Sequence, residues 1–429
     1  MPEEQIVVTG GRPLSGTARI GGAKNSVLKL MAASVMGRGS VRIDNVPDIS
    51  DVHVMEEVLT TIGAKVERLA PSAPHEPGSV LIDTTDLTSY ETPYELVAKM
   101  RASISILGPL VTRFGRARVA MPGGCNIGSR KLDMHISSLE ALGVEFSVDH
   151  GFIEASTPDS LHAADVFLEF PSVGATENLM MAAVTAKGET HIRNAACEPE
   201  IADLACFLNE MGAEVRGAGT PDITVSGVRE LHSAGRHRTC GDRIEAGTFL
   251  VAGALTGGPL TVEGVNPDYL VLALKKLQQM GCDVVSEGES ITVERTGDIL
   301  PADIQTLPHP GFPTDLQAQY MVLAALAHGN SIITENVFEN RFMCAAELVR
   351  MGADIRIDGH HALVAGVAGL SGAPVEAPDL RGGAALVLAG LVADGQTRVG
   401  SVHHIDRGYD DFVGKLVRCG AEVRREAFA

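Results

Sequence analysis

Two kinds of apolar segment alternate along this chain at a regular interval. In the first kind, apolar residues lie three and four positions apart, as at Val52, Met55 and Leu59, which is typical of an amphipathic surface helix. Each such segment is followed by a glycine and then by strand-type residues, as expected for a helix that ends at a left-handed residue. The six glycines lie roughly 70 residues apart and predict six repeats of one unit. They are Gly63, Gly143, Gly212, Gly281, Gly352 and Gly420.

The second kind of segment is apolar on nearly every side. Small residues recur near its middle, for example Ala32 with Ala33 or Ala252 with Gly253, so that neighbouring helices can approach closely. Each segment is followed by a glycine and then by a strand. We therefore expect six fully buried helices and a repeat of helix, strand, helix, strand, strand. The buried helices are expected at residues 27–36, 104–111, 179–184, 249–255, 320–326 and 386–392.

The N-terminal segment is expected to complete the sixth repeat, which lacks its last strand because the chain ends soon after Val423. Residues 7–24 resemble residues 363–381, since both contain Leu-Ser-Gly before a helix start. This predicts a two-lobed, inside-out α/β barrel, with buried parallel helices in the centre and sheets and amphipathic helices outside. The first lobe is expected to span residues 24–239, and the second residues 1–23 with 240–429.

The composition narrows the choice of partners and compartment. The 429-residue chain is long enough for two domains, and its formal charge of -19 disfavours a nucleic-acid surface. No apolar run reaches membrane-spanning length, and the acidic start at residues 2–4 does not resemble a secretory leader. Seven cysteines, an odd number without close pairs, favour a reducing compartment. We therefore expect a cytoplasmic protein without a nucleic-acid or membrane partner.

Charged and small polar residues stand at the N-terminal ends of the six buried segments. Helix N-termini carry partial positive charge and unpaired amide groups, and basic residues there strengthen the attraction for anions. In an acidic protein this pattern predicts a small, highly anionic ligand. The alternative is that each arginine pairs with a neighbouring carboxylate. The residues at these ends are Lys24, Asn25, Arg101, Ser172, Val173, Gly174, Arg243, Asp315 and Arg381.

A glycine-rich segment at residues 121–130 interrupts the second repeat. It contains Cys125, and the flanking glycines predict an exposed, mobile thiol. Arg130 is placed either to favour the thiolate or to hold an anion beside it. The alternative is an inert loop thiol. The other cysteines lie mostly within or beside apolar patterns and are expected to be inert: Cys197, Cys206, Cys240, Cys282, Cys344 and Cys419.

Motifs along the whole chain resemble those of the enolpyruvyl transferases. The cysteine segment at residues 122–130 is the most specific, because it distinguishes the branch that acts on UDP-N-acetylglucosamine from the branch that makes enolpyruvylshikimate phosphate. The other motifs are Gly-Ala-Lys-Asn at 22–25, Met-Arg-Ala-Ser at 100–103, Ser-Val-Gly-Ala-Thr at 172–176, Asp-Arg-Ile-Glu at 242–245, Phe-Pro-Thr-Asp at 312–315, Glu-Asn-Arg-Phe at 339–342, Asp-Leu-Arg at 379–381 and His-Ile-Asp-Arg-Gly-Tyr at 404–409.

The resemblance implies transfer of the enolpyruvyl group of phosphoenolpyruvate to the 3-hydroxyl of UDP-N-acetylglucosamine. Phosphate is released, and the reaction is the first committed step of peptidoglycan synthesis. The resemblance implies that Cys125 is the general acid and forms an adduct with phosphoenolpyruvate, that Asp315 is the base, and that Asp379 shares proton handling. Lys24 and Arg407 complete the catalytic set. Phosphoenolpyruvate is expected to contact Lys24, Asn25, Arg130, Arg381 and Arg407.

A second set of residues is implied for the nucleotide sugar. Some relatives carry a lysine just before the Ser-Val-Gly segment on the uridine side, whereas this chain has Phe170 and Pro171, so stacking or backbone hydrogen bonds must replace that charge. Two glycines follow Arg381 and are expected to leave its loop less constrained. The nucleotide-sugar residues are Arg101, Arg130, Lys131, Leu132, Asp133, Met134, His135, Ser172, Val173, Gly174, Asp315 and Val337.

Neither a metal nor a cofactor is expected. The histidine pairs at residues 360–361 and 403–404 lack a third ligand at a recognisable spacing and are interpreted as polar loop residues. Two other functions remain as alternatives: a shikimate-type transferase and, more distantly, a six-repeat ring clamp. A clamp would line its pore with basic amphipathic helices, but here only isolated pairs such as Lys275 and Lys276 occur. The sequence leaves the oligomeric state open.

Overall fold

The computed structural model describes residues 4–71, 77–97, 101–121 and 132–427 of the chain. These residues form two compact units. We call the described residues between 22 and 240 the middle unit, and residues 4–21 with 241–427 the terminal unit. Within the described part of the chain, no helix combines the length and the apolar character that a membrane crossing requires.

The first half of the chain contains the N-terminal strands and three repeats. The N-terminal strands are β1 (Glu4–Thr9) and β2 (Gly16–Arg19). The first repeat comprises α1 (Lys24–Ala33), β3 (Ser40–Val46), α2 (Ser50–Thr61), β4 (Lys65–Leu69), β5 (Gly78–Asp83) and the short α3 (Tyr94–Val97). The second comprises α4 (Leu107–Phe114), β6 (Arg116–Ala120), α5 (Asp133–Glu140), β7 (Glu145–Asp149), β8 (Phe152–Ser156) and β9 (Asp165–Phe167). The third comprises α6 (Val173–Ala183), β10 (Glu189–Arg193), α7 (Pro199–Glu210), β11 (Glu214–Arg216), β12 (Asp222–Ser226) and β13 (Arg236–Arg238).

The second half of the chain contains the other three repeats. The fourth comprises α8 (Arg243–Thr256), β14 (Leu260–Glu263), α9 (Val271–Gln279), β15 (Asp283–Glu287), β16 (Ser290–Glu294) and β17 (Ile304–Gln305). The fifth comprises α10 (Gln317–Ala325), β18 (Asn330–Thr334), α11 (Met343–Arg350), β19 (Asp354–Asp358), β20 (His361–Ala365) and β21 (Pro374–Glu376). The sixth comprises α12 (Leu380–Val392), β22 (Gln396–Gly400), α13 (Phe412–Arg418) and β23 (Glu422–Ala427). Short 3-10 helices are Ser34–Met36, Arg101–Ile106, Pro267–Leu270, Thr314–Leu316 and Val402–Arg407.

The six predicted repeats are confirmed, but most contain one strand more than expected. The extra strand follows the hairpin and pairs in parallel with the first strand of another repeat in the same unit. The pairs are β9 with β10, β13 with β3, β17 with β18, β21 with β22, and β2 with β14. A parallel bridge between Glu91 and Arg118 takes this place beside β6. The extra strands are too short for an alternating pattern to be detected in the sequence.

The N-terminal segment completes the sixth repeat, as predicted. Strand β1 lies between β22 and β23 and pairs antiparallel with both, so that Ile6 is opposite Val399 on one side and Arg425 on the other. Strand β2 then pairs with β14 of the fourth repeat. The first and last segments of the chain therefore share one sheet.

The helices that were predicted to be buried form the core of each unit. Every residue of α10 is buried, as is every residue of α8 from Arg243 to Leu255. Partly exposed turns occur at the end of α4, at residues 112–114, and at the start of α6, at Val173 and Gly174. In each unit these helices lie among strand residues and the apolar faces of the outer helices, so each unit has its own hydrophobic core.

The glycine that ends each amphipathic helix has the predicted backbone conformation. At Gly63, φ is 105°, a left-handed value that costs a residue with a Cβ atom about 1–2 kcal/mol. The five equivalent glycines have φ values between 91° and 99°. The end of the amphipathic helix in each repeat is therefore marked by backbone geometry as well as by the hydrophobic pattern.

Gly352→Ala tests this backbone requirement without a steric clash. The φ of Gly352 is 99°, and no neighbouring atom lies within 4 Å of the methyl group that alanine would add. We expect the unfolding free energy in urea to fall by about 1–2 kcal/mol. Gly369→Ala is the matched control, because its surroundings are equally open and its φ is not positive. An equal loss in both variants would contradict the conformational explanation.

Candidate active site

Asp315 lies at the start of a buried helix of the terminal unit, between two arginine side chains. It belongs to the 3-10 turn Thr314–Leu316 that leads into α10. Its Oδ1 accepts a hydrogen bond from Arg341 Nη2 at 2.5 Å, and its Oδ2 accepts from Arg381 Nε and Nη2 at 3.3 and 3.2 Å. Both guanidinium groups are buried, whereas the carboxylate is partly exposed. The arginines therefore hold the carboxylate in one orientation while leaving part of it accessible.

The cap of α12 explains how Arg381 comes to lie beside Asp315. Asp379 precedes the helix, and its Oδ1 accepts hydrogen bonds from the amide nitrogens of Arg381 and Gly382 at 2.8 and 3.0 Å. A Cβ atom at Gly383 would lie 2.7 Å from the Cβ of Ala377, so only glycine permits this close packing. The expectation of a less constrained loop after Arg381 was wrong, because these glycines belong to a closely packed helix start.

Arg381 carries its positive charge inside the protein. The residue is 3% exposed, and its guanidinium carbon lies 5.2 Å from the ring centroid of Tyr409. Burial alone would lower the pKa of Arg381, but Tyr409 and Asp315 outweigh it and raise the pKa above its usual value. Its Nη1 has no hydrogen-bond partner among the described residues. This buried cationic donor fits an anionic ligand.

A hydroxyl network fixes Tyr409 beside Arg381. The Tyr409 hydroxyl lies 2.9 Å from Thr248 Oγ1, and Gln319 Nε2 donates to these two oxygens at 3.3 and 3.1 Å. Thr248 is on α8 and Gln319 is on α10. Burial raises the pKa of Tyr409, so its hydroxyl stays protonated at neutral pH. The network ties two buried helices to the segment that follows the 3-10 helix Val402–Arg407.

Glu335 links the Asp315 turn to the segment that carries Val337. This buried carboxylate accepts hydrogen bonds from Thr306 Oγ1 at 2.8 Å and Thr314 Oγ1 at 2.9 Å. It also accepts from the amide nitrogens of Val337 and Phe338 at 2.8 and 3.1 Å. Four donors therefore meet on one carboxylate, and they fix the backbone on both sides of β18.

Arg407 and the neighbouring histidines lie on the 3-10 helix Val402–Arg407, so the interpretation of His403 and His404 as loop residues was wrong. Their rings are tilted by 40° to each other, with centroids 4.1 Å apart. Burial, His403 and Arg407 lower the pKa of His404, so this ring is neutral at pH 7. Arg407 itself is half-buried.

The lysines of α1 in the middle unit are paired with carboxylates. Lys24, the first residue of α1, places its Nζ 2.7 Å from Asp51 Oδ2, and both groups are buried. Lys29 Nζ donates to the backbone carbonyl of Asn25 at 2.9 Å and lies 3.2 Å from Glu177 Oε2. The alternative in which arginines at helix starts pair with carboxylates holds for Arg381 and Asp315, and Lys24 at the start of α1 is paired in the same way.

Glu177 is a fully buried acid on α6. Burial raises its pKa to about 7 although Lys29 acts in the opposite direction, and Glu200 and Glu198 raise it further. The side chain therefore changes its charge near neutral pH. It lies three residues beyond Gly174, in a helix whose start carries several of the residues predicted to bind the nucleotide sugar.

The predicted nucleotide-sugar residues of the middle unit gather around the start of α6. Ser172 is its N-cap, and its Oγ accepts a hydrogen bond from Ala175 N at 3.4 Å. The buried His135 on α5 lies close to Gly174, and a Cβ atom added to Gly174 would be 2.9 Å from the His135 ring. The Nδ1 of His135 is 3.0 Å from Asn178 Nδ2. Leu132, Asp133, Met134 and Val173 lie at the same helix starts and are at least partly exposed.

Part of the predicted site lies outside the described residues. This applies to Cys125, Arg130 and Lys131, and nothing is described for the side chain of Arg101, whose backbone begins the 3-10 helix Arg101–Ile106. The structure brings Asp315, Arg381 and Asp379 together in the terminal unit. His135, Ser172, Val173 and Gly174 come together in the middle unit.

Three of the six described cysteines are buried, namely Cys282, Cys344 and Cys419. Burial raises the pKa of Cys282 to about 11 and that of Cys344 to about 12, so these thiols are inert at neutral pH. Cys419 is also buried, and Cys197 and Cys240 are partly exposed. Cys206 departs from the pattern, because it is exposed on α7.

Several residues that shape the site had no predicted role. Arg341 and Tyr409 belong to motifs that carry the resemblance, so their position in those motifs was a signal. Glu335 gave no signal, since a buried carboxylate cannot be told from a surface one by residue type alone. The pair of Lys29 with Glu177 required the fold, because its members lie in different repeats.

Comparisons with known proteins agree with the fold and the motifs. A family model described as EPSP synthase (3-phosphoshikimate 1-carboxyvinyltransferase) matches residues 8–416. The chain is 50% identical over 424 residues to UDP-N-acetylglucosamine 1-carboxyvinyltransferase 2 of Carboxydothermus hydrogenoformans, covering 98% of this chain and 99% of that protein. It is 48% identical over 423 residues to UDP-N-acetylglucosamine 1-carboxyvinyltransferase 1 of Staphylococcus aureus, with the same coverage.

Solved structures show the same architecture. The enolpyruvyl transferase NikO from Streptomyces tendae is similar with a TM-score of 0.88 and 27% identity, and the match covers 100% of both chains. EPSP synthase from Acinetobacter baumannii is similar with a TM-score of 0.74 and 18% identity over 98% of this chain and 99% of that one. These likenesses confirm the predicted fold class.

Glu177→Gln tests the charge state of the buried acid. Between the ordinary pKa of 4.5 and the folded pKa of about 7, the native protein binds more protons than the unfolded chain, so stability falls as pH rises through this window. The glutamine cannot lose a proton and avoids this fall. From about pH 5 to about pH 8, urea unfolding should show the variant gaining about 2–3 kcal/mol relative to the unsubstituted protein.

Glu140→Gln is the control for this measurement, because Glu140 is exposed at the end of α5. Its difference from the unsubstituted protein should not change with pH. A pH-independent difference for Glu177→Gln would mean that Glu177 is ionised throughout this range.

Proposed function

The chain belongs to the EPSP synthase family of enolpyruvyl transferases, and on that premise we propose that it is a UDP-N-acetylglucosamine 1-carboxyvinyltransferase. It transfers the enolpyruvyl group of phosphoenolpyruvate to the 3-hydroxyl of UDP-N-acetylglucosamine and releases phosphate, in the first committed step of peptidoglycan synthesis. The observation that carries this proposal is identity of 48–50% over 98% of the chain to relatives named for that activity. The six described cysteines are free thiols, which supports a cytoplasmic location.

Phosphoenolpyruvate carries a phosphate and a carboxylate, so its site must supply several positive charges. Arg381 supports this role, because its Nη1 remains a buried donor while its other nitrogens bind Asp315. Lys24 adds a buried ammonium group at the start of α1. We assign the binding of phosphoenolpyruvate to Lys24, Asn25, Arg130, Arg381 and Arg407.

Asp315 is the base that accepts the proton of the sugar hydroxyl in this proposal. Its carboxylate is partly exposed, and Arg341 and Arg381 bind its two oxygens. The orientation of the carboxylate is therefore set before the substrate binds. The hydroxyl oxygen attacks the phosphate-bearing carbon of phosphoenolpyruvate as its proton passes to Asp315. Preorganised charges lower the barrier because they need not reorient during the reaction.

Cys125 is the acid that protonates the methylene carbon of phosphoenolpyruvate in the same addition step. The adduct then loses phosphate from one carbon and a proton from the adjacent methyl group, which restores the double bond. Asp379 is assigned an accessory part in proton handling; its Oδ1 caps α12, and this bond positions Arg381. Lys24 and Arg407 supply charge to the departing phosphate.

The nucleotide sugar is assigned to the start of α6 and to the neighbouring start of α5. Ser172 and Gly174 offer backbone and hydroxyl groups at a helix N-terminus, where anionic diphosphate oxygens are favoured. The exposed Phe170 offers an aromatic surface in the place where a lysine was expected from relatives. Stacking of the uracil ring on Phe170 is consistent with this exposure.

A shikimate-type transferase is the second candidate, because the family model carries that description. Phosphate release with phosphoenolpyruvate and one acceptor at a time separates the two functions. We expect turnover with UDP-N-acetylglucosamine and none with 3-phosphoshikimate, and Cys125→Ser should lose the turnover with UDP-N-acetylglucosamine. Turnover with the shikimate phosphate alone would reverse the proposed acceptor.

Arg341→Lys tests whether the orientation of Asp315 matters for the reaction. A lysine keeps the charge but cannot reproduce the geometry of the guanidinium group, so Asp315 will shift. We expect kcat to fall by about 10² with a much smaller change in the KM for UDP-N-acetylglucosamine. Arg350→Lys is the control, because Arg350 is exposed and pairs only loosely with Glu347. A variant with unchanged kcat would show that Arg341 has only a structural role.

A further inference from the structure

Three side chains with metal-binding atoms meet in the middle unit, two of them exposed and one buried. Cys206 Sγ lies 3.7 Å from Glu210 Oε1, and His237 Nδ1 lies 2.8 Å from Glu210 Oε2. The ligand atoms of the three residues all lie within 4.8 Å of one another. We propose that Cys206, Glu210 and His237 bind a divalent transition-metal ion of the zinc class.

The local structure brings the three residues together. Cys206 and Glu210 are four residues apart on α7, so their side chains lie on the same face of the helix. His237 lies on β13, the short strand that pairs with β3. The adjacent histidine pairs in the sequence gave no reason to expect a metal. The helical spacing of Cys206 and Glu210 is a signal in the sequence, whereas the contribution of β13 is visible only in the fold.

The donor set has the chemistry and spacing that zinc prefers. Thiolate, imidazole and carboxylate are its usual ligands, and bonds of about 2.0–2.3 Å in a tetrahedral arrangement separate ligand atoms by roughly 3–4 Å. A thiolate and a carboxylate balance the charge of a divalent ion. Cys206 and Glu210 are exposed and line a shallow surface depression, so water can reach both side chains.

A second observation supports a metal at this place: His237 is oriented as metal-binding histidines usually are. Its Nε2 lies 3.1 Å from Asp203 Oδ1, and its Nδ1 is left to face Glu210. A carboxylate on the far nitrogen of a ligating histidine fixes the ring and increases its basicity. The ring is buried and packs edge-on against Phe207, with ring centroids 5.3 Å apart. Only the rotation of the exposed side chains is then needed to close the site.

Asp203 connects the proposed metal site to the start of α1. Its Oδ2 accepts hydrogen bonds from Ser26 Oγ at 2.5 Å and from Cys240 N at 3.1 Å. Ser26 lies two residues beyond Lys24. A metal held by His237 would therefore stabilise the segment that carries Lys24, and metal binding should raise the thermal midpoint of the full chain.

Cobalt binding to the full-length, metal-stripped protein tests the proposal, because cobalt replaces zinc and a thiolate ligand gives a charge-transfer absorption band. We expect one cobalt ion per chain with this band, displaced by one equivalent of zinc. Cys206→Ser should abolish the band, and Glu210→Gln should weaken binding at least 10-fold. Glu210 is exposed, so this variant retains the fold. Cys197→Ser and Cys125→Ser are the matched thiol controls and should keep the band.

The outcomes separate the proposal from its rivals. A band that persists in Cys206→Ser, or that disappears in Cys125→Ser, assigns the metal to another thiol and overturns the proposal. Absence of cobalt binding by the unsubstituted chain would also overturn it and would leave His237 as an ion-paired histidine between Asp203 and Glu210. Asp203→Asn should weaken cobalt binding by about 10–100-fold while the band remains, as a residue that only orients a ligand would.

Discussion

The apolar surface of the central helices is the constraint on which the rest of the structure depends. Because α8, α10 and α12 are buried along nearly their whole length, charged groups on them are confined to the first turns. A charge in such a place cannot reach bulk water, and it is stable only with a partner or a cap nearby. The site residues are therefore organised as ion pairs and helix caps.

Both units contain buried lysine–glutamate pairs that satisfy this constraint. In the middle unit, Lys29 lies against Glu177, and in the terminal unit Lys415 Nζ lies 2.5 Å from Glu245 Oε1. Arg381 differs from these pairs, because it shares the carboxylate of Asp315 with Arg341. Asp315 is bonded directly to two guanidinium groups, and Nη1 of Arg381 has no hydrogen-bond partner among the described residues, so an anionic substrate can use this buried donor.

The repeat architecture could be predicted from the sequence because it depends on local features of each repeat. The hydrophobic pattern predicts buried and amphipathic helices, and Gly63 and its equivalents mark their ends. The short strands such as Arg236–Arg238 could not be predicted, since pairing with a distant repeat and not their own pattern makes them strands. Candidate residues at helix starts were found by position, and Asp315 and Arg381 indeed lie together although they are 66 residues apart.

The interactions among site residues were less predictable. Glu335, Arg341 and Tyr409 act through contacts between repeats, and neither spacing nor residue type indicates which carboxylate meets which donor. The cluster of Cys206, Glu210 and His237 could not be predicted for the same reason, because two members lie on one helix and the third lies on β13. Sequence patterns thus locate the elements, while the charges that they bring together depend on how the repeats pack.

A structure of the protein with phosphoenolpyruvate and UDP-N-acetylglucosamine bound tests the central claim most directly. The account predicts an anionic oxygen of phosphoenolpyruvate at hydrogen-bond distance from Arg381 Nη1, with Nη2 still bonded to Asp315. An Arg381 side chain whose Nη1 binds another protein group, with phosphoenolpyruvate held elsewhere, would contradict it.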